Sequence, residues 1–274
     1  MAAAVCNSKR PAAVLDAGHA NATVQGSDTG CSKRKRIRII GSMDAYEKTD
    51  ILGEGSFGIV NKARNRFTGK TMAIMSLQRH TTDTGASELR QEIRFLEACE
   101  GNPSVVRSHG FVRDPATSKL CLTMEYVSPN LEDFLLEGPP LSEATVCAYM
   151  WQLLNGAKEM HERGIVHRDI KPSNILIGEG GKILKFCDLG LAMSLATEKT
   201  PYGDAGTLPY MAPEMLLGKP DYDARVDAWS LGCVMAEMLT SGKMLFDSEA
   251  ASRGDQIDQL RNIFGVLGFP DDRT

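Results

Sequence analysis

The chain has no apolar run approaching the length of a bilayer-spanning helix, so a helical membrane protein is not expected. It opens without the positive-then-apolar pattern of a secretory leader, which argues against export. It has no C-x-x-C pair. Its seven cysteines (Cys6, Cys31, Cys99, Cys121, Cys147, Cys187 and Cys233) are scattered and odd in number. That excludes a disulfide frame or a zinc site and reads as reduced thiols of an intracellular protein, nuclear or cytoplasmic. Cys187, beside Asp188, is either a reactive thiol or a small buried apolar residue. Positive charge is also lacking: the net charge of −4 gives no basic field for nucleic acid. What is present, 42% apolar and 24% charged residues in a chain of 274, is ordinary for one or two globular domains.

Residues 1–43 are rich in Ala, Ser, Gly, Asn and Thr without a sustained period, the composition of a disordered tail. Within it Lys33-Arg34-Lys35-Arg36 reads as a nuclear import signal or as solvated tail. From Tyr46 the pattern changes. Tyr46 to Leu52 and Gly58 to Ala63 read as strands flanking a glycine turn, Thr68-Gly69 as a hairpin turn, and Thr71 to Leu77 as a third strand. Ser87 to Ala98 reads as a helix with Leu89, Ile93 and Leu96 on its core face. Phe111-Val112 and Leu120 to Met124 read as further strands. Pro129 and Gly138-Pro139-Pro140 bracket a short helix. Ser142 caps a longer one, with an apolar stripe of Val146, Met150, Leu153, Leu154 and Ala157. Ile175 to Ile177 and Ile183 to Phe186 form a hairpin across Gly180-Gly181. A polar loop then runs from Asp188 to Ala212-Pro213-Glu214, and a helix from about Val226 to Thr240 carries Asp227 and Trp229 near its start.

Three motifs carry chemistry. Gly53-Glu54-Gly55-Ser56-Phe57-Gly58 fits many turns by itself. Here it lies between two strands, with Val60 two residues after its last glycine, so backbone N–H groups can lie close over phosphates. His167-Arg168-Asp169-Ile170-Lys171-Pro172-Ser173-Asn174 gathers an imidazole, a guanidinium, a carboxylate, an ammonium and an amide. Asp188-Leu189-Gly190 follows. Their order and spacing suit phosphoryl transfer, which rests on in-line positioning and on positive charge at the phosphates.

On these motifs, from about Tyr46 to the C-terminus, the chain resembles a eukaryotic serine/threonine protein kinase. Its later part is similar to cyclin-dependent kinases, and the whole resembles plant F-type cyclin-dependent-kinase-like proteins. The resemblance implies an α+β, two-lobed fold. Residues 44–127 would form a small antiparallel sheet with one main helix and the hinge, and residues 128–274 a mostly helical lobe. It also implies ATP, Mg²⁺ and a protein substrate. Asp169 would take the substrate's hydroxyl proton and Lys171 would offset charge on the moving phosphoryl group, while Asn174 and Asp188 would hold Mg²⁺. Leu52, Gly53, Glu54, Gly55, Ser56, Phe57, Gly58, Val60, Ala73, Met75 and Leu176 would enclose the nucleotide. Met124 would shape the back of the base pocket, and the backbone of Glu125-Tyr126-Val127 would meet the adenine. Glu92 would face the lysine of the third strand. Lys171, and Gly206-Thr207 ahead of Tyr210, resemble the serine/threonine pattern. Arg168 invites an activation-loop phosphate, with Thr197, Thr200 and Tyr202 as candidates. The segments 255–260 and 263–268 resemble the stretch after the cyclin-dependent kinase insert. The family's last helices would follow, so the chain reads as a fragment or a short natural product. Uncovered apolar surface and a Glu214 without its usual arginine are expected.

Several positions depart from the pattern. Met72-Ala73-Ile74-Met75 stands where the family has V-A-I-K. A thioether brings no charge to the phosphates and leaves Glu92 without its partner, so a rate loss of roughly 10²–10³ is expected. Lys62 on the second strand is the candidate to reach across. Leu189 replaces the usual Phe and can still pack beneath the helix carrying Glu92. The helix reads Ser-Glu-Leu-Arg-Gln-Glu-Ile instead of P-S-T-A-I-R-E, Phe57 replaces a regulatory tyrosine, and Leu208-Pro209-Tyr210-Met211 replaces L-W-Y-R. These changes argue against cyclin binding and proline-directed specificity. Met75 also leaves open a pseudokinase that binds nucleotide or partners without turnover.

Overall fold

The computed structural model describes residues 38–55, 58–77, 83–196, 205–247 and 255–269. The tail before residue 38 with its basic cluster, Ser56, Phe57, Thr197, Thr200 and Tyr202 lie outside them, as do the side chains of Gly55 and Leu89. Everything described belongs to one unit, Ile37–Thr274.

The first lobe is a six-stranded sheet in the order β1-β5-β6-β4-β3-β2. It comprises β1 (Ile39–Ser42), β2 (Tyr46–Gly55), β3 (Gly58–Asn65), β4 (Thr71–Leu77), β5 (Ser108–Arg113) and β6 (Leu120–Glu125), with helix α1 (Asp83–Ala98) between β4 and β5. Strand alternation sorts the side chains of β4. Ile74 packs with Ala63, Val112 and Cys121 on one face, and Ala73 and Met75 join the main core on the other. Ile93 and Leu96 of α1 are buried in that main core.

β1 corrects the expectation that the tail runs to residue 43. It pairs in parallel with β5, Ile39 lying opposite Phe111, and the Phe111 amide donates to the Arg38 carbonyl at 2.9 Å. Composition misses the strand because it is held by backbone bonds while its isoleucines stay exposed. Gly110, at φ +116°, admits it: a Cβ there would stand 2.7 Å from the Arg38 carbonyl oxygen.

The second lobe contains α2 (Leu131–Glu137), α3 (Glu143–Glu162), β7 (Ile165–Val166), β8 (Ile175–Gly178), β9 (Ile183–Phe186), β10 (Met193–Ser194), α4 (Pro213–Leu216), α5 (Arg225–Leu239) and α6 (Gln256–Leu267). β7 pairs with β10, and β8 with β9. Ser142 caps α3 as expected, accepting from the Thr145 amide. The stripe on α3 differs by one residue. Val146, Met150, Leu153 and Ala157 are buried together with Tyr149 and Met160, but Leu154 is 49% exposed. Leu154, Ala157 and His161 instead line a shallow groove with Ala228 and Leu231 of α5. Trp151, Met235 and Leu239 are further exposed apolar side chains of these two helices. Glu214 makes no ion pair among the described residues. Its charge reaches Arg225, whose guanidinium is bound to Asp223.

The lobes are stitched together behind α1. Arg163 Nη1 donates to the carbonyl of Ala98 at the end of α1 at 3.1 Å, a cation at a helix C-terminus. Asn102 Nδ2 donates to the Gly156 carbonyl at 3.0 Å. Ser104 lies so close to Gly156 that a Cβ at 156 would collide with it. The next residues run beside β9: the Phe186 amide donates to Ser104 O at 2.8 Å, and the Val106 amide to Phe186 O at 2.9 Å.

Candidate active site

The loop from His167 to Asn174 takes its shape from a carboxylate in the first turn of α5. Asp227, fully buried, accepts the His167 amide on Oδ2 at 2.8 Å and the Arg168 amide on Oδ1 at 2.9 Å. His161 Nε2 lies 2.8 Å from the same Oδ2. The Asp169 amide donates to His167 Nδ1 at 3.3 Å, which leaves Nε2 to donate to the Cys187 carbonyl at 3.1 Å. Arg168 is held at φ +68° and Asp188 at φ +60°, a region that side-chain-bearing residues rarely occupy. Both positions lie in the predicted chemical motifs.

Four predicted or noted side chains converge. Asp169 Oδ1 accepts the Thr207 hydroxyl at 2.7 Å. Its Oδ2 accepts Asn174 Nδ2 at 2.9 Å and lies 3.1 Å from Lys171 Nζ. Lys171 Nζ donates to Thr207 Oγ1 at 2.8 Å, closing the ring. Asn174 Nδ2 also donates to the Asp169 carbonyl at 2.9 Å, so its amide nitrogen is spent inward and its carbonyl oxygen is turned the other way. Asp188 Oδ1 accepts the Gly190 amide at 3.2 Å, which leaves Oδ2 for another partner. An amide oxygen and a carboxylate oxygen suit a hard divalent cation such as Mg²⁺. Leu189 is fully buried in the core that holds Ile93 and Leu96, so it fills the place of the usual Phe.

Register assembles the predicted pocket lining. Gly53 stands opposite Val60, Val60 opposite Met75, and Met75 opposite Leu122. In the next rank Lys62 stands opposite Ala73, and Ala73 opposite Met124. Ala73, Met75 and Met124 are buried in the main core, and Val60 and Leu176 pack against it. Gly55 pairs with Gly58 across the turn, while Leu52, Gly53 and Glu54 are exposed. Val127 rests against β8, its Cγ1 3.3 Å from where a Gly178 Cβ would stand. Glu125 is the surprise at the hinge. Its Oε1 accepts the Arg107 amide at 2.7 Å and Lys185 Nζ at 2.8 Å. Sequence reasoning passed over Lys185, Asp227 as a loop anchor, and Tyr222.

Glu92 is the buried carboxyl of α1. That carboxyl is 1% exposed and its Oε2 has no hydrogen-bond partner. Burial first, and then the charge of Asp188, push it up to about 8. Lys62, the candidate substitute, is engaged elsewhere: its Nζ lies 3.5 Å from Asp50 and 5.0 Å from the centre of the Tyr126 ring. Burial also drives the Cys187 thiol far above the usual range, with Asp188 adding to the effect. Arg168 is occupied among the described residues, with Nε on the Leu191 carbonyl at 2.6 Å and Nη1 on the Tyr222 hydroxyl at 3.1 Å.

The chain belongs to the protein kinase domain family, whose model matches residues 46–273. Two rice relatives bear out the resemblance to cyclin-dependent-kinase-like serine/threonine kinases. Over 238 residues it is 40% identical to "Putative cyclin-dependent kinase F-2" of Oryza sativa subsp. japonica, covering 84% of this chain and 70% of that protein. Over 235 residues it is 35% identical to cyclin-dependent kinase G-1 of Oryza sativa subsp. indica, covering 84% of this chain but 33% of that one. No described helix is long and apolar enough to cross a membrane.

Proposed function

We propose that this chain transfers the γ-phosphoryl group of ATP to serine or threonine hydroxyls of a protein substrate, at a rate held back by Met75. The observation that carries this reading is the closed ring of Asp169, Lys171 and Thr207, with Asn174 bound to Asp169. Asp169 accepts the hydroxyl proton, and its carboxylate is oriented by three donors before any substrate arrives. Lys171 balances charge on the transferring group. Asn174 and Asp188 hold Mg²⁺, which when bound neutralises phosphate charge. Val60, Ala73, Met124 and Leu176 give the base an apolar slot.

At Met75 the phosphates lose a cation. A deficit of roughly 10²–10³ in rate follows from removing one transition-state donor. A second reading, a scaffold that binds nucleotide or partners without turnover, is favoured by one observation, the unpartnered Glu92 oxygen. We further propose that the protein acts in the nucleus or cytoplasm and without a cyclin. The first rests on its scattered, free thiols, the second on the departures in α1 and around Leu208.

Phosphate transfer to a generic protein substrate by wild type, Met75→Lys and Asp169→Asn tests this. Slow transfer that Met75→Lys accelerates and Asp169→Asn abolishes is expected. Equal, robust rates for wild type and Met75→Lys would show that Met75 costs nothing. An inactive Met75→Lys protein would favour the scaffold.

A further inference from the structure

Lys185 is a half-buried cation with no part in the chemistry above. It lies on β9, three residues before Asp188, and pairs in register with Leu176 on the floor of the base slot. Its Nζ donates at 2.8 Å to Glu125 Oε1, at the point where β6 becomes the hinge. That oxygen also accepts the Arg107 amide at 2.7 Å, and the Glu125 amide returns a bond to the Arg107 carbonyl at 3.0 Å. The side chains of Lys185 and Glu125 are only 17% and 26% exposed, so water screens the pair less than it would a surface ion pair.

We infer that Lys185 is a positioning residue for the nucleotide base: its bond to Glu125 locks the first hinge peptide against β9. The inference rests on the nucleotide reading above and adds a specificity element to it. The hinge is the strip of backbone that would present amide and carbonyl groups to the edge of a purine. Within the sheet it is held by the pairing of Glu125 with Met72 on β4 and by the Arg107 backbone on the other flank. Lys185 adds the tie from the second lobe. A displacement of under an ångström there weakens hydrogen bonds to a base. Among the described residues, no hydrogen bond or ion pair joins Asn174 or Asp188, assigned to the metal, to the hinge. Loss of Lys185 therefore acts on ligands that carry a base and spares those that do not.

The test is calorimetric binding of adenosine, Mg-ATP and Mg-tripolyphosphate to the whole chain, as wild type, Lys185→Met, Lys185→Gln and Lys185→Arg. Lys185→Met should weaken adenosine and Mg-ATP by about five- to tenfold and leave Mg-tripolyphosphate within about twofold. Lys185→Arg, which keeps the ion pair, should restore adenosine binding. If Lys185→Met fails to fold, Lys185→Gln gives the same comparison. Unchanged adenosine affinity, or an equal loss for tripolyphosphate, overturns the inference and leaves the nucleotide reading standing. A wild type that binds neither adenosine nor Mg-ATP overturns the nucleotide reading, and the inference with it.

Discussion

The amide of His167 and the carboxylate of Asp227, 60 residues apart in the chain, are joined by a 2.8 Å hydrogen bond in the buried interior. The neighbouring Arg168 amide takes the other carboxylate oxygen, so one side chain on α5 sets the entry to the loop that presents Asp169. Asp227→Ala would strand two buried amides and His161. We expect it to cost about 2–4 kcal/mol in urea unfolding, with Asp227→Asn intermediate. A loss below about 1 kcal/mol would mean that the loop holds its shape unaided.

Glu92 ties stability to pH. Its carboxyl titrates near 8 in the folded chain, against an ordinary value of 4.5. Between those values the folded state holds a proton that the unfolded state has released. Stability from the protonated group is therefore complete below about pH 4.5 and drains away as pH rises through 8, at up to about 1.4 kcal/mol per unit. Glu92→Gln, which cannot ionise, should flatten that slope in unfolding curves taken from pH 5 to 9. Met75→Lys should flatten it as well, by giving the carboxylate a counter-charge. Parallel curves for all three proteins would contradict the assignment.

Thr207 bridges Asp169 and Lys171 through one hydroxyl. Thr207→Val should lower kcat about tenfold, the value of one lost hydrogen bond at the base, with little change in KM for ATP. Thr207→Ser should retain most of the activity. An equal rise in KM would place the hydroxyl in nucleotide binding instead.

Much of this site was legible because its signals are local. Strand β4 spans the expected Thr71–Leu77, Ser142 caps α3 as expected, and the hairpin of β8 and β9 ends at Phe186, two residues before Asp188. Legibility failed where contacts are long-range. Lys185 meets Glu125 across 60 residues, and nothing beside either residue announces the pair. Asp227 was visible as a helix-start residue, but its service to His167 depends on how α5 packs under α3.

Leu153 and Leu154 show a second limit. Successive helical residues differ by about 100° in direction, so two adjacent leucines cannot both sit at the centre of one face. The burial of Tyr149, Gly156 and Met160 turns that face toward Leu153. Leu153→Ala should cost about 2–5 kcal/mol by thermal or chemical unfolding, and Leu154→Ala under about 1 kcal/mol. Comparable losses would mean that the groove beside Leu154 is covered in solution.

The strand formed by Ile39–Ser42 has a practical corollary. By lying along β5 it occupies a flank of the sheet that would otherwise invite a foreign strand. A chain trimmed where its polar composition gives way, just before Tyr46, would shed that guard along with the tail. The bared backbone of Ser108–Arg113 would then offer itself to other copies, and clumping of the shortened protein would say nothing about the health of its catalytic loop.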